Sequence, residues 1–185
     1  MTKFLRVMAA AAAMASLSSA AQAADDTASA TVGLVVQPAS YCSGLSLATQ
    51  LNMSTVVNAD NSVTPKTFTL TSGPVTCTVA NAFVSLTSTN QGLSNAGPGI
   101  SDAAFDGFVN KMHYVAVANW ASGGTGVGVS LNTAAASFAK SGGSAGPATG
   151  GFTLTVTPSD PGTGIKLKGG AAYTDTLTVK VGPAA

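Results

Sequence analysis

The sequence predicts an all-β sandwich, and three observations carry that expectation. Apolar residues alternate with threonine in short runs, which is the two-residue period of a strand with one face in a core. The chain is rich in Thr, Ser, Val, Ala and Gly, and it contains no glutamate. Such a composition is poor in helix formers and suited to a pleated, half-buried surface. Glycine, proline, asparagine and serine separate the runs at short intervals, as turns between strands require.

Four stretches show the alternation best. Phe68 and Leu70 alternate with Thr67 and Thr69; Val75, Cys77 and Val79 alternate with Thr76 and Thr78. Phe152, Leu154 and Val156 alternate with Thr153, Thr155 and Thr157. Tyr173, Leu177, Val179 and Val181 alternate with Thr174, Thr176, Thr178 and Lys180. Each predicts a strand with a threonine face toward water. Ala82, Val84 and Leu86 mark another strand, and Val127, Val129 and Leu131 a further one. Met112 to Trp120 is apolar on both faces and predicts a central strand. Asn90 to Phe108 is expected to be a loop with one helical turn, and Ser141 to Gly151 a flexible loop.

The N-terminus has the pattern of a secretory signal. Lys3 and Arg6 precede an apolar run from Val7 to Leu17, and Ala21-Gln22-Ala23 is a small-x-small cleavage site. Residues 1–23 are therefore expected to be a signal peptide. The run is too short to span a bilayer, and no later segment replaces it, so no membrane span is expected after cleavage. The remaining six basic residues face seven aspartates, a formal charge of −1. A chain so nearly neutral lacks the electrostatic footprint of a nucleic-acid binder.

Cys42 and Cys77 are the only cysteines. In an exported chain an even pair predicts a disulfide. Closing a loop of about 35 residues contributes roughly 3–4 kcal/mol in the chain-entropy model. Their spacing is not that of a redox pair, and the single histidine, His113, cannot complete a typical zinc site.

The chemistry-bearing residues form no catalytic constellation. His113 sits in a strand pattern beside Tyr114, and no Gly-x-Ser-x-Gly elbow accompanies it. Asp102 and Asp106 are the only close carboxylate pair in the body, placed where a turn or solvated loop is expected. Asn58, Asp60 and Asn61 predict a polar turn; a calcium loop would carry more carboxylates. Trp120 is expected to end a core strand. No enzyme, metal or cofactor is expected.

One more alternating strand stands near the start, before the first cysteine. Ala28, Ala30, Val32, Leu34 and Val36 fall on one face, and Pro38 follows. At the other end the chain closes with Ala172-Tyr173-Thr174-Asp175-Thr176-Leu177-Thr178-Val179-Lys180-Val181. This ending resembles the terminal strand of the spore coat protein U-like family, the archaic class of chaperone–usher pilins. Chains of that family end in Gly or Ala, Tyr, a polar residue, Asp, Thr and then alternating apolar residues. The second cysteine in Val75-Thr76-Cys77-Thr78, the strand Phe83 to Thr89 after it, the loop Asn90-Gln91-Gly92 and the strand His113-Tyr114-Val115 agree with the likeness. The resemblance covers about 28–182. The chain departs from the pattern at Leu51-Asn52-Met53, where the family often has an aromatic-Gly pair, in the long glycine-rich segment 121–151, and at Pro183.

The resemblance implies an immunoglobulin-like sandwich of the incomplete pilin type, spanning 41–185, preceded by a donor-strand extension at 24–40. It implies that Tyr173, Leu177, Val179 and Val181 edge a groove and that Tyr173 to Val181 lacks a local partner. A periplasmic chaperone fills such a groove first, an outer-membrane usher exports the subunit, and the next pilin subunit donates Ala28 to Val36 head to tail. The implied destination is a pilus at the cell surface, supporting attachment or biofilm. The alternative is a fibre-tip adhesin or a free secreted lectin-like binding module, presenting the loops 90–108 and 121–151.

Overall fold

The structure is a computed structural model that describes residues 41–79, 81–95, 106–122, 126–141, 143, 147–170 and 172–183. The expected signal peptide and the strand carrying Ala28, Ala30, Val32, Leu34 and Val36 lie outside the described residues.

The described chain is nearly all β. The strands are β1 (Cys42–Ser43), β2 (Phe68–Cys77), β3 (Ala82–Ser88), β4 (Leu93–Ser94), β5 (Phe108–Val109) and β6 (Lys111–Met112). They continue with β7 (Tyr114–Trp120), β8 (Val127–Asn132), β9 (Phe138–Ser141), β10 (Ala148–Pro158), β11 (Lys166–Leu167) and β12 (Leu177–Pro183). A single 3-10 turn covers Ser54–Val56 among the described residues.

An antiparallel five-stranded sheet has the order β1-β2-β10-β7-β8, and an antiparallel three-stranded sheet has the order β12-β3-β9. Two short pairs, β4-β6 antiparallel and β5-β11 parallel, complete the ladder set. The apolar faces of the two larger sheets share one core. β3 supplies Val84 and Leu86, β7 supplies Ala116, Ala118 and Trp120, β8 supplies Leu131, and β10 supplies Phe152, Leu154 and Val156, all buried.

The threonine face expected of β10 is present: Phe152, Leu154 and Val156 are buried while Thr153, Thr155 and Thr157 are only half-buried. Thr67 and Thr157, and Thr76 and Thr149, share hydrogen bonds of 2.9 Å across the β2–β10 ladder. β7 lies between β10 and β8, as a central strand should. Only one of its faces is buried, however: Tyr114, Ala116, Ala118 and Trp120 point inward while Val115 and Val117 stay half-exposed.

β2 joins what the sequence shows as two runs of opposite phase. Its inward residues are Phe68, Leu70 and Ser72, then Val75 and Cys77. The switch is a β-bulge. Ser72 pairs with Phe152 and Val75 with Gly150, so Gly73 and Pro74 together stand opposite Gly151 alone. A bulge restores the inward phase after an odd insertion, and it accommodates a proline that has no N–H to give a ladder. Gly150 is required there: a Cβ on it would lie 1.6 Å from the Ala121 carbonyl oxygen.

Three expectations need correction. The stretch 141–151 is not simply a loop, because Ala148 to Gly151 belong to β10. The last strand begins at Leu177, not Tyr173, since Thr174 forms an isolated bridge with Ser94. That strand also has a local partner: β12 pairs along its length with β3, from Leu177 opposite Ser88 to Pro183 opposite Ala82. Of the loop 90–108, residues 96–105, which hold most of the expected helical turn, lie outside the described residues, and Asp106 and Gly107 form a turn.

Cys42 and Cys77 are bonded as a disulfide and stand opposite each other in the β1–β2 ladder. No helix among the described residues is long and apolar enough to cross a membrane.

Candidate strand-docking groove

β12 is an edge strand of the three-stranded sheet: β3 occupies one side, and no described strand occupies the other. Which backbone groups face that open side follows from one hydrogen bond. The Thr89 N–H donates to the Thr176 carbonyl at 3.1 Å, so Thr176 turns its backbone toward β3. Antiparallel pairing alternates, so Thr178 and Lys180 do the same. Leu177, Val179 and Val181 therefore direct their N–H and C=O groups to the open edge. Their side chains are half-buried, whereas Thr178 and Lys180 are exposed.

Beside this edge runs a groove of about 770 Å³. Leu177 and Val179 line one wall, together with Tyr173, Thr174 and Asp175. Leu70, Leu154 and Val156 of the five-stranded sheet line its floor. The opposite wall is the irregular segment 45–53, whose Leu45, Leu47, Leu51 and Met53 pack partly against the core. Ser72 holds that segment to β2: the Ser46 N–H donates to Ser72 Oγ at 2.9 Å, and Ser72 Oγ donates to the Gly44 carbonyl at 3.2 Å. The groove thus joins apolar side chains from both sheets to the polar Thr49, Gln50 and Asn52 of the wall segment, with one unpaired strand edge as a wall. An edge of this kind is a template for another strand.

Its far end is polar and tightly bonded. The Asp175 carboxylate accepts four hydrogen bonds. Ser88 Oγ and Tyr114 Oη donate to Oδ2 at 2.5 and 2.7 Å, and the N–H groups of Asn90 and Thr176 donate to Oδ1 at 2.9 and 2.7 Å. Tyr173 Oη donates its one proton to the Val109 carbonyl at 2.6 Å, with the Lys168 carbonyl sharing it at 3.1 Å. Thr174 and Ser94 exchange both backbone hydrogen bonds, at 2.9 and 3.0 Å. Burial, followed by the neighbouring Asp175 carboxylate, pushes the Tyr114 phenol well above its ordinary range, so it stays protonated and donates. Burial likewise raises the Tyr173 phenol, opposed by its hydrogen bond to the Lys168 backbone.

All four expected groove-edge residues pack partly against the core; Tyr173, Leu177 and Val179 also line the groove, and Val181 does not. Tyr114 and Asp175 were not expected as site residues. The pairing of two groups 61 positions apart has no local signal, although Asp175 lies in the Tyr-Thr-Asp-Thr run that carries the resemblance.

Trp120, His113 and Asp60 make contacts within the fold. Trp120 is fully buried and its Nε1–H donates to the Val75 carbonyl at 3.2 Å. His113 Nδ1 lies 3.4 Å from Thr133 Oγ1. Asn58 to Ser62 form a turn in which Ser62 donates to Asp60 Oδ1 from both Oγ and N–H, at 2.6 and 3.1 Å, and Lys166 approaches Asp60 Oδ2 at 3.2 Å. Among the described residues no group of three or more His, Cys, Asp or Glu side chains could hold a metal.

No family model matches the chain, and no curated protein or solved structure matches it.

Proposed function

We propose that the chain is a structural subunit of a chaperone–usher surface fibre that polymerises by strand donation. The observation that carries this reading is the open edge of β12 above an apolar floor. In the proposed fibre, Ala28 to Val36 of one copy lies along Leu177, Val179 and Val181 of the next. Its backbone supplies the ladder bonds that the edge lacks, and Ala30, Val32, Leu34 and Val36 enter the groove.

Burying a Val or Leu side chain contributes roughly 1.5–3 kcal/mol, so three such residues hold a noncovalent fibre together without any catalytic group. The donor and the groove lie on different parts of each copy, so the contact is head to tail and generates a filament rather than a closed ring. Before assembly the groove would leave Leu70, Leu177 and Val179 half-exposed beside an unpaired edge, and a periplasmic chaperone covering it answers that liability. An outer-membrane usher then passes the subunit to the cell surface, where the fibre would support attachment or biofilm.

Deletion of residues 24–37 tests the proposal. The truncated subunit should be exported but form no filaments visible by electron microscopy. Normal filaments from it would refute strand donation by this segment.

A further inference from the structure

We propose that Asp175, gripped by Tyr114 and Ser88, is the positioning residue that holds the groove open for an incoming strand. The inference rests on the strand-donation reading above and adds a residue to it.

An apolar groove in water should close. Movement of β12 toward the segment 45–53 would bury the half-exposed Leu70, Leu177 and Val179 without any partner, and hydrophobic burial is non-directional. The geometry at the polar end opposes this. Tyr114 opens β7 in the five-stranded sheet, and Asp175 precedes β12 in the three-stranded sheet, so their 2.7 Å hydrogen bond spans the two sheets at the groove. Tyr114 is itself fixed from below. Its N–H donates to Thr133 Oγ1 at 2.9 Å, and its carbonyl accepts from the Thr133 N–H at 3.1 Å. Ser88 Oγ brings the same carboxylate oxygen to β3, at 2.5 Å, and Asn90 N–H brings the other oxygen to the turn after β3.

One half-buried carboxylate therefore fixes the start of β12 against β3 and against the opposite sheet at once. Hydrogen bonds to a charged acceptor are the stronger kind, and their fixed directions resist the sliding that collapse needs. Beyond Thr176 no such bond from a described residue restrains the open side, where Leu177, Val179 and Val181 await a partner. The arrangement is preorganisation: the end of the groove is set before the strand arrives, so capture does not wait for β12 to reopen. Once a strand is seated, its own ladder bonds hold β12, and the Asp175 contacts become less important. Capture should depend on Asp175, and retention should not.

The test uses the full chain and a fluorescent peptide of residues 24–37 in excess, with capture and release rates measured separately. Wild type should capture the peptide and hold it. Asp175→Asn and Tyr114→Phe should capture about tenfold more slowly, matching a fall in the capture-competent population, with release unchanged. Ser88→Ala removes one donor while sparing the carboxylate, and it serves if Asp175→Asn does not fold. Variants that capture at the wild-type rate overturn the positioning role and leave strand donation standing. Slower capture with proportionately faster release also overturns it, since that is general loosening of the fold. Failure of wild type to capture the peptide refutes strand donation itself.

Discussion

Tyr114 Oη and Asp175 Oδ2 meet at 2.7 Å across the gap between the two sheets, at the polar end of the groove. The phenol is nearly inaccessible, and burial raises its pKa above the ordinary value of 10. The sign of the pH effect follows. In the unfolded chain the phenol ionises near pH 10, while in the fold it stays protonated to higher pH. Its contribution is complete below pH 10 and is lost as pH rises toward the folded value. Wild-type unfolding free energy should fall above about pH 10, and Tyr114→Phe should reduce that slope; Tyr173 supplies part of what remains. At pH 7, Tyr114→Phe should cost about 1.5–3 kcal/mol in denaturant unfolding, the range for a hydrogen bond to a charged group.

A second carboxylate titrates in the opposite range. The Ser62 hydroxyl, then the Ser62 N–H and the Lys166 ammonium, hold Asp60 down to about 2. A lowered carboxylate stabilises the fold above its unfolded value and stops doing so as pH falls through its folded value. An NMR titration should place the Asp60 midpoint near 2, and Ser62→Ala should return it toward the usual carboxylate range.

The disulfide between Cys42 and Cys77 fastens β1 to β2 beside the wall segment 45–53. Replacing both cysteines with alanine should lower unfolding free energy by roughly 3–4 kcal/mol, measured by urea denaturation of the purified protein.

Gly150 marks the bulge that resets the phase of β2. Gly150→Ala would drive a methyl group into the Ala121 carbonyl, 1.6 Å away before any backbone shift. A loss of about 1–3 kcal/mol is expected by calorimetry, the range for overpacking a well-packed site.

Much of this fold is visible in local pattern. Phe152, Leu154 and Val156 alternate with threonine because one face of β10 meets the core and the other meets water, and that period survives without tertiary knowledge. The bulge is not visible: Phe68 and Val75 simply stand out of phase, and only the register against Gly150 and Phe152 shows that one strand carries both. The alternation places the start of the last strand too early for a similar reason. Tyr173 continues the alternation, yet its neighbour Thr174 bonds to Ser94 rather than to β3. The groove's edge residues Leu177 and Val179 were legible as the last apolar alternation. Its floor and its polar end were not, because Leu70, Tyr114, Leu154 and Asp175 come together only when the sheets pack.

Strand donation between copies is the central claim, and site-directed cross-linking tests it most directly. Copies carrying Val32→Cys, Leu34→Cys or Val36→Cys, each mixed before assembly with copies carrying Val179→Cys, place one thiol on the donor and one in the groove. Oxidation of the assembled material should link the two kinds of copy in at least one pairing, as a dimer band that reductant removes. If no pairing links different copies under conditions where filaments form, the segment 28–36 does not lie along β12 of a neighbour.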